Sequence, residues 1–219
     1  MRMASLYKKE YFSRLPELGE LAPDVFKKFM AFNDASVAEG KLSHPLKEVI
    51  AVAVAHTTGC PYCIDLHVGN AKKAGITKEQ LAESIFVATA LKAGSSIAHG
   101  VNALNTYDGT GDDELYKSEY FNRLKEFSEL SGATFKTFVD FDSQSMKEGA
   151  LTAKEKELVA VAVAHTTGCP YCIAIHTKGA KKQGVCKEEL AESIFVATSL
   201  KAGSAIAHAV NALNAYDEN

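Results

Sequence analysis

Apolar residues recur at three-to-four spacing along nearly the whole chain, and no stretch alternates polar with apolar between turn signals, so the sequence predicts an all-α protein. Lys8 to Glu17 reads as a short first helix with Tyr11, Phe12 and Leu15 on its apolar stripe. Pro23 opens a second helix through about Ala38, which buries Phe26, Phe29 and Phe32 as core rather than as a cofactor box. Ser43 caps a third, with Pro45 in its first turn, running to about Thr58; its small-residue stretch Ala51–Ala55 permits close packing, and Gly59 ends it. Cys60 at the N-cap and Pro61 at the first helical position start a fourth helix that stops at Gly75. Thr77 and Gln80 form a capping box for a fifth, to about Lys92, and Ala93-Gly94 predicts a break before a sixth ending near Asn105.

The pattern then recurs. Shifted by 109 residues, positions 7–110 align with 116–219 without a gap, 65 of the 104 pairs are identical, and Ala51–Ile64 match Ala160–Ile173 without interruption. Shared composition does not produce such a match, so the chain is a tandem duplication, and two copies are too few for a solenoid. Two similar units of about six helices are expected, residues 1–110 and 111–219, joined at Asp108–Asp113, where two glycines and three acids interrupt the pattern. The second copy replaces the Ser43 cap by a Thr152–Glu155 capping box.

Composition narrows the function classes. With 219 residues, 47% of them hydrophobic, the chain can bury a core, and its net charge of -3 is scattered, leaving no basic face for nucleic acid and no polybasic membrane anchor. Met1 to Leu15 lacks the apolar region of a signal peptide, and runs such as Val49–Ile64 and Ser84–Leu91 are too short or interrupted to span a bilayer, so a cytoplasmic location is expected.

Four of the five cysteines form two C-x-x-C pairs, each inside H-x3-C-x2-C-x3-H, and in a reducing compartment such pairs are catalytic or metal-binding more often than structural. Cys60, Cys63 and His67 fall on one stripe of the fourth helix. Cys63, at the third helical position, is expected to carry the thiolate under the helix dipole; Cys60 is placed to attack a sulfenic acid there, and His67 to exchange a proton. The same assignment holds for Cys172, Cys169 and His176. Glu48, twelve residues before Cys60, and Glu157, equally placed before Cys169, are either the sink of a proton relay or ordinary first-turn dipole partners. Cys186, opposite Thr77 in the repeat, reads as an incidental free thiol, Glu83 and Glu192 as dipole partners, and His99 and His208 as satisfied core histidines.

The pattern E-x11-C-x2-C-x3-H, complete as Glu48, Cys60, Cys63, His67 and again as Glu157, Cys169, Cys172, His176, resembles the alkyl hydroperoxidase D and carboxymuconolactone decarboxylase superfamily over essentially the whole chain. That resemblance implies that Cys63 and Cys172 take up a peroxide oxygen, that Cys60 and Cys169 resolve them, and that Glu and His relay protons without a cofactor. It further implies a hydroperoxide substrate, a lipoyl-type or thioredoxin-like dithiol reductant, and a homotrimer giving six family units, with Ala93–Ala98 among the contacts between units. In one respect the sequence departs: the family's best-known hydroperoxidase has a histidine directly before the second cysteine, where Tyr62 and Tyr171 stand here.

Three other readings compete. The decarboxylase branch shares the fold without needing the dithiol, general disulfide exchange shares the chemistry, and a non-enzymatic zinc-stabilised protein would use the four N and S ligands of each H-x3-C-x2-C-x3-H. A c-type haem needs a histidine directly after the second cysteine, and a thioredoxin motif needs a βαβ context; the sequence has neither.

Overall fold

The computed structural model describes residues 5–218; the first four residues of the charged stretch Met1 to Leu15 and Asn219 lie outside them. Ten α-helices and two 3-10 segments make the fold, with no strand among the described residues. In the first repeat a 3-10 segment, Lys9–Arg14, leads into α1 (Leu15–Leu21), α2 (Pro23–Val37), α3 (His44–Thr58), α4 (Pro61–Lys73) and α5 (Lys78–Asp108). The second repeats this order, with Ser118–Lys125 before α6 (Glu126–Leu130), α7 (Gly132–Met146), α8 (Ala153–Thr167), α9 (Pro170–Lys182) and α10 (Lys187–Asp217).

Two expectations need correction. The first helix is not a single α-helix from Lys8 to Glu17 but a 3-10 segment followed by a short α1. The break at Ala93-Gly94 does not occur either: α5 and α10 each run 31 residues unbroken, about 46 Å, so a repeat has five α-helices rather than six. Glycine in α5 makes room instead of a kink, since a Cβ at Gly100 would stand 2.7 Å from Phe127 Cζ and one at Gly94 would touch Phe138. Both aromatics come from the other repeat.

That exchange is general. Helices α3 and α8 cross each other at the centre, α10 packs on α3 and α2, and α5 packs on α8 and α7, so one hydrophobic core draws on both repeats. Ala51–Ala55 and Ala160–Ala164 are fully buried there, with Val and Ala side chains small enough for close crossing. Phe26, Phe29 and Phe32 are half-buried, Phe26 against Gly19 of α1 and the other two against α10 of the second repeat, at Gly203 and Phe195. By length and hydropathy α5 and α10 could each cross a membrane, but about two fifths of each apolar window is buried within the fold against these neighbours.

The acids read as dipole partners of the fifth helix are instead clamps between repeats. Glu192 accepts from the backbone N–H of Lys41 (2.8 Å) and Leu42 (2.9 Å) and pairs at 3.0 Å with Lys47, itself 3% exposed. Glu83 does the same for Ala150, Leu151 and the buried Lys156. A Cβ on Gly40 would lie 2.5 Å from the Glu192 carboxylate, which is why the loop passing over it carries glycine.

Candidate active site

Local rules bring each dithiol to a helix start. Gly59 ends α3 in the left-handed region, φ 72°, returning its N–H to the Ala55 carbonyl, and the chain turns straight into α4 with Cys60 at the N-cap and Pro61 behind it. The Cys60 sulfur accepts the Cys63 N–H at 3.2 Å, and Cys169 accepts that of Cys172 at 3.3 Å. Cys60 and Cys63 are disulfide-bonded, with Cα atoms 5.3 Å apart, whereas Cys169 and Cys172 are free thiols. One backbone arrangement therefore accommodates both redox states.

Behind each pair stands an acid-histidine couple. Glu48, 1% exposed in the middle of the core, lies 2.9 Å from His67 Nδ1, with Asn70 Nδ2 on its other oxygen at 3.4 Å. Glu157 lies 3.0 Å from His176 Nδ1 and rests on Gly179, whose missing side chain leaves room for the carboxylate. Helix α3 does fold back to meet α4, so the glutamates are partnered by the histidines and not by their own helix dipoles.

Helix position directs the dipole at the third-position cysteine, but the free N–H of Cys172 points at the N-cap sulfur. A hydrogen bond from the Cys172 thiol, followed by the Cys172 N–H, the charge of His99 and the Ser95 hydroxyl, overcomes burial and brings Cys169 down to about 6. Cys172 is held far above the ordinary thiol range, because it donates to Cys169, is buried, and faces Asp142. The reason is geometric: the free N–H at the helix start points at the N-cap side chain, so the dipole acts on Cys169 and the third-position sulfur supplies a proton instead. Cys172 keeps the better surface access, 6% exposed against 0% for Cys169, and Cys63 and Cys60 repeat those values.

Several neighbours escaped the sequence reading. His99 and Ser95 belong to α5 of the first repeat, yet the charge of one and the hydroxyl of the other act on Cys169 of the second. Asp142 on α7 faces Glu157, His176 and Cys172; burial and the Glu157 charge raise it, with His176 opposing, and its repeat partner Asn33 bonds Ser199 instead. No local signal marks either residue, since both reach the site across the repeat interface.

Tyr62 and Tyr171, in the place of the family histidine, are buried plugs. Tyr62 stacks on Phe12 at 5.5 Å and reaches Asn211; Tyr171 packs on Phe121 at 5.2 Å and donates to the Lys117 carbonyl, so neither joins the acid-histidine couple. His56 and His165 are tied to the Val52 and Val161 carbonyls of their own helices at 2.8 Å. Among the described residues no three His, Cys, Asp or Glu side chains converge on a metal position, so the tetrahedral set of the zinc reading is not assembled. Cys186 caps α10, its sulfur accepting the Glu189 N–H, which gives the free thiol a structural task. Beside Tyr62, Tyr7, Lys8, Phe12, Pro61 and Leu66 line a cavity of about 330 Å³.

Comparison with known proteins agrees with this architecture. The chain is 42% identical over 95 residues to the uncharacterized protein 4 in the cox locus of Paracoccus denitrificans, matching 43% of this chain and 86% of that one. It is 32% identical over 91 residues to an uncharacterized protein of Cupriavidus necator, 42% of this chain and 80% of that protein. In fold it is similar to a crystal structure from Burkholderia xenovorans provisionally named as a gamma-carboxymuconolactone decarboxylase subunit, with a TM-score of 0.69, 21% identity and 95% of each chain covered. The carboxymuconolactone decarboxylase family model matches twice, at residues 23–106 and 132–215, each match spanning one complete dithiol and its Glu–His couple: the chain belongs to the carboxymuconolactone decarboxylase family.

Proposed function

We propose that the protein is a thiol-dependent peroxidase, reducing hydroperoxides through its two C-x-x-C dithiols in a reducing compartment such as the cytoplasm. The observation that carries this reading is a sulfur couple able to form a disulfide at a helix start, with a Glu–His pair, buried in the first centre and half-buried in the second, one turn along the same helix.

In the reduced centre the Cys172 thiol donates to the Cys169 thiolate. Transfer of the Cys172 proton to His176, steadied by Glu157, exposes a thiolate on the sulfur nearer the surface. It attacks the terminal oxygen of the hydroperoxide; the S–O bond forms, the O–O bond breaks, and the leaving alkoxide takes the proton from His176 to depart as an alcohol. The Cys169 thiolate then displaces hydroxide from the Cys172 sulfenic acid, closing the disulfide, and the hydroxide takes a proton from solvent to leave as water. An external dithiol, of lipoyl or thioredoxin type, restores the thiols with two electrons. The state of Cys60 and Cys63 corresponds to the end of this cycle, and the mainly apolar cavity beside Tyr62 suits an organic rather than an inorganic hydroperoxide.

The test is consumption of cumene hydroperoxide with reduced lipoamide as donor. Cys63→Ser combined with Cys172→Ser should abolish turnover, whereas Cys186→Ser should leave it unchanged, since serine also caps a helix. Full activity in the double variant, or carbon dioxide release from a carboxymuconolactone that survives loss of all four paired cysteines, would move the assignment to the decarboxylase branch.

A further inference from the structure

In the proposed cycle the Glu–His couple serves the third-position cysteine of each pair, and the reaction also demands proton handling at the N-cap cysteine. The other repeat supplies candidates. Ser95 and His99 lie one turn apart on α5, whose Ala98 and Val101 share a core cluster with Cys169, and the buried Ser95 hydroxyl and the His99 charge both favour a thiolate there. His99 is not free to swing away. Its Nδ1 meets the Tyr116 hydroxyl at 3.2 Å, the two rings stand edge to face at 5.8 Å, and Tyr116 leans at 5.8 Å on Tyr171, the residue between proline and the second cysteine. The histidine is thereby indexed to the C-x-x-C turn itself.

The arrangement recurs in the first centre with one difference. His208 stands edge-on to Tyr7 at 6.1 Å, Tyr7 lies 5.9 Å from Tyr62, and Ala207 and Val210 of the same helix pack on Cys60 and Cys63. His208, however, turns Nδ1 to the Ser204 carbonyl at 2.8 Å rather than to a tyrosine.

We propose that His99, with Ser95 and Tyr116, is a positioning residue for the second dithiol, contributed by the opposite repeat and acting on Cys169 as the leaving thiolate when the disulfide is reduced. An external thiolate attacks the more accessible Cys172 sulfur; the S–S bond breaks, its electron pair goes to Cys169, and the reductant's second thiolate then displaces Cys172 as the reductant closes its own disulfide. Cys169 departs into a pocket already furnished with a hydroxyl donor and an imidazole, so no proton need arrive from solvent before the bond breaks. This rests on reading the pair as a redox dithiol, but it does not require that the oxidant be a peroxide.

The experiment uses the full chain carrying Cys60→Ser, Cys63→Ser and Cys186→Ser, so that only Cys169 and Cys172 titrate. Thiolate absorbance at 240 nm is followed against pH in the reduced protein. Titratable groups around the pair are Cys172 and His99 at Cys169 itself, Tyr116 before and Tyr120 within the Ser118–Lys125 segment at Tyr171, and Asp142 on α7 at Cys172, with His176 and Glu157 beyond it. His99→Gln, which keeps a hydrogen-bonding group but removes the charge, should move the first midpoint upward by about half a unit or more, and Ser95→Ala should move it the same way by less. Reduction of the oxidised centre by dithiothreitol should slow about 3- to 10-fold in His99→Gln, with recovery in His99→Lys, which restores a cation. Midpoints within about 0.2 units of the parent in both variants, with helicity retained, would overturn the proposal. Loss of peroxide turnover with the midpoint shift intact would instead count against the peroxidase reading alone.

Discussion

Replacing Glu192 by glutamine removes one charge and leaves the side chain's shape, which makes it a clean test of the clamp between repeats. The carboxylate holds two backbone N–H groups and the ammonium of Lys47. Hydrogen bonds to a charged group contribute about 1.5–3 kcal/mol each, and removing one partner of a buried pair costs about 3–5 kcal/mol. Glutamine keeps one carbonyl acceptor but presents an NH₂ to a second donor, and Lys47, 3% exposed, retains only the Ala38 carbonyl. Because a quarter of the Glu192 side chain is open to solvent, the low end applies, about 3 kcal/mol. For a chain of this size that is a fall in Tm of about 6–12 °C at pH 7, read by calorimetry. Burial pushes the Glu192 carboxyl up, but the Leu42 and Lys41 amides and then Lys47 hold it below the usual carboxylate range. With the folded pKa depressed, the stabilisation is complete above the unfolded value near 4.5 and fades as pH falls through the folded one, so the gap between wild type and variant should close in acid. Glu83→Gln should match it, and the double variant should approach the sum. A change under about 2 °C for Glu192→Gln would refute the reasoning.

Other outcomes follow from the site and the surface. With the second centre silenced by Cys169→Ser and Cys172→Ser, Glu48→Gln or His67→Gln should slow peroxide reduction about 10²-fold while circular dichroism stays unchanged; rate loss that tracks helix loss would make the pair structural. Asp142→Asn restores the amide of the first repeat and removes a carboxylate whose pKa is raised by burial and Glu157, so at neutral pH it should raise Tm by about 2 °C, a gain that disappears as pH falls and Asp142 is protonated; an unchanged Tm at pH 7 would show that the group is solvated. Exposed apolar side chains occur at matching places in both repeats, Leu66 with Ile175 and Phe86 with Phe195, and three chains of 23.5 kDa should assemble into a particle of about 70 kDa by light scattering, which a stable monomer at micromolar concentration would disprove.

What could be read from the sequence was what depends on near neighbours. Caps at Ser43, Thr77 and Thr152, the Gly59 turn and the stripe of Cys60, Cys63 and His67 are all set within a few residues, and each is where the spacing put it. Gly94 misled because glycine in a helix signals either a break or a close approach, and only the aromatic of the other repeat decides which. Glu83, Glu192, His99 and Asp142 were misread or missed for one reason: their partners lie on the far copy, up to 151 residues away along the chain. Dipole arguments locate the positive end of a helix but not the side chain that its N–H groups reach, and here the Cys172 N–H reaches the Cys169 sulfur.

The crossing of α3 and α8 also constrains how the two copies drift apart. Their fully buried alanines and valines form walls for one another, so a larger side chain accepted in one copy must be met by a smaller one in its twin. Two substitutions, separately unfavourable and 109 positions apart, would have to be fixed almost together. The fourteen letters from Ala51 to Ile64 and from Ala160 to Ile173 have stayed the same, while helices nearer the surface, such as α2 and α7, have diverged freely. Swapping α3 for α8 within the chain should therefore be silent at the crossing, where swapping α2 for α7 would not be.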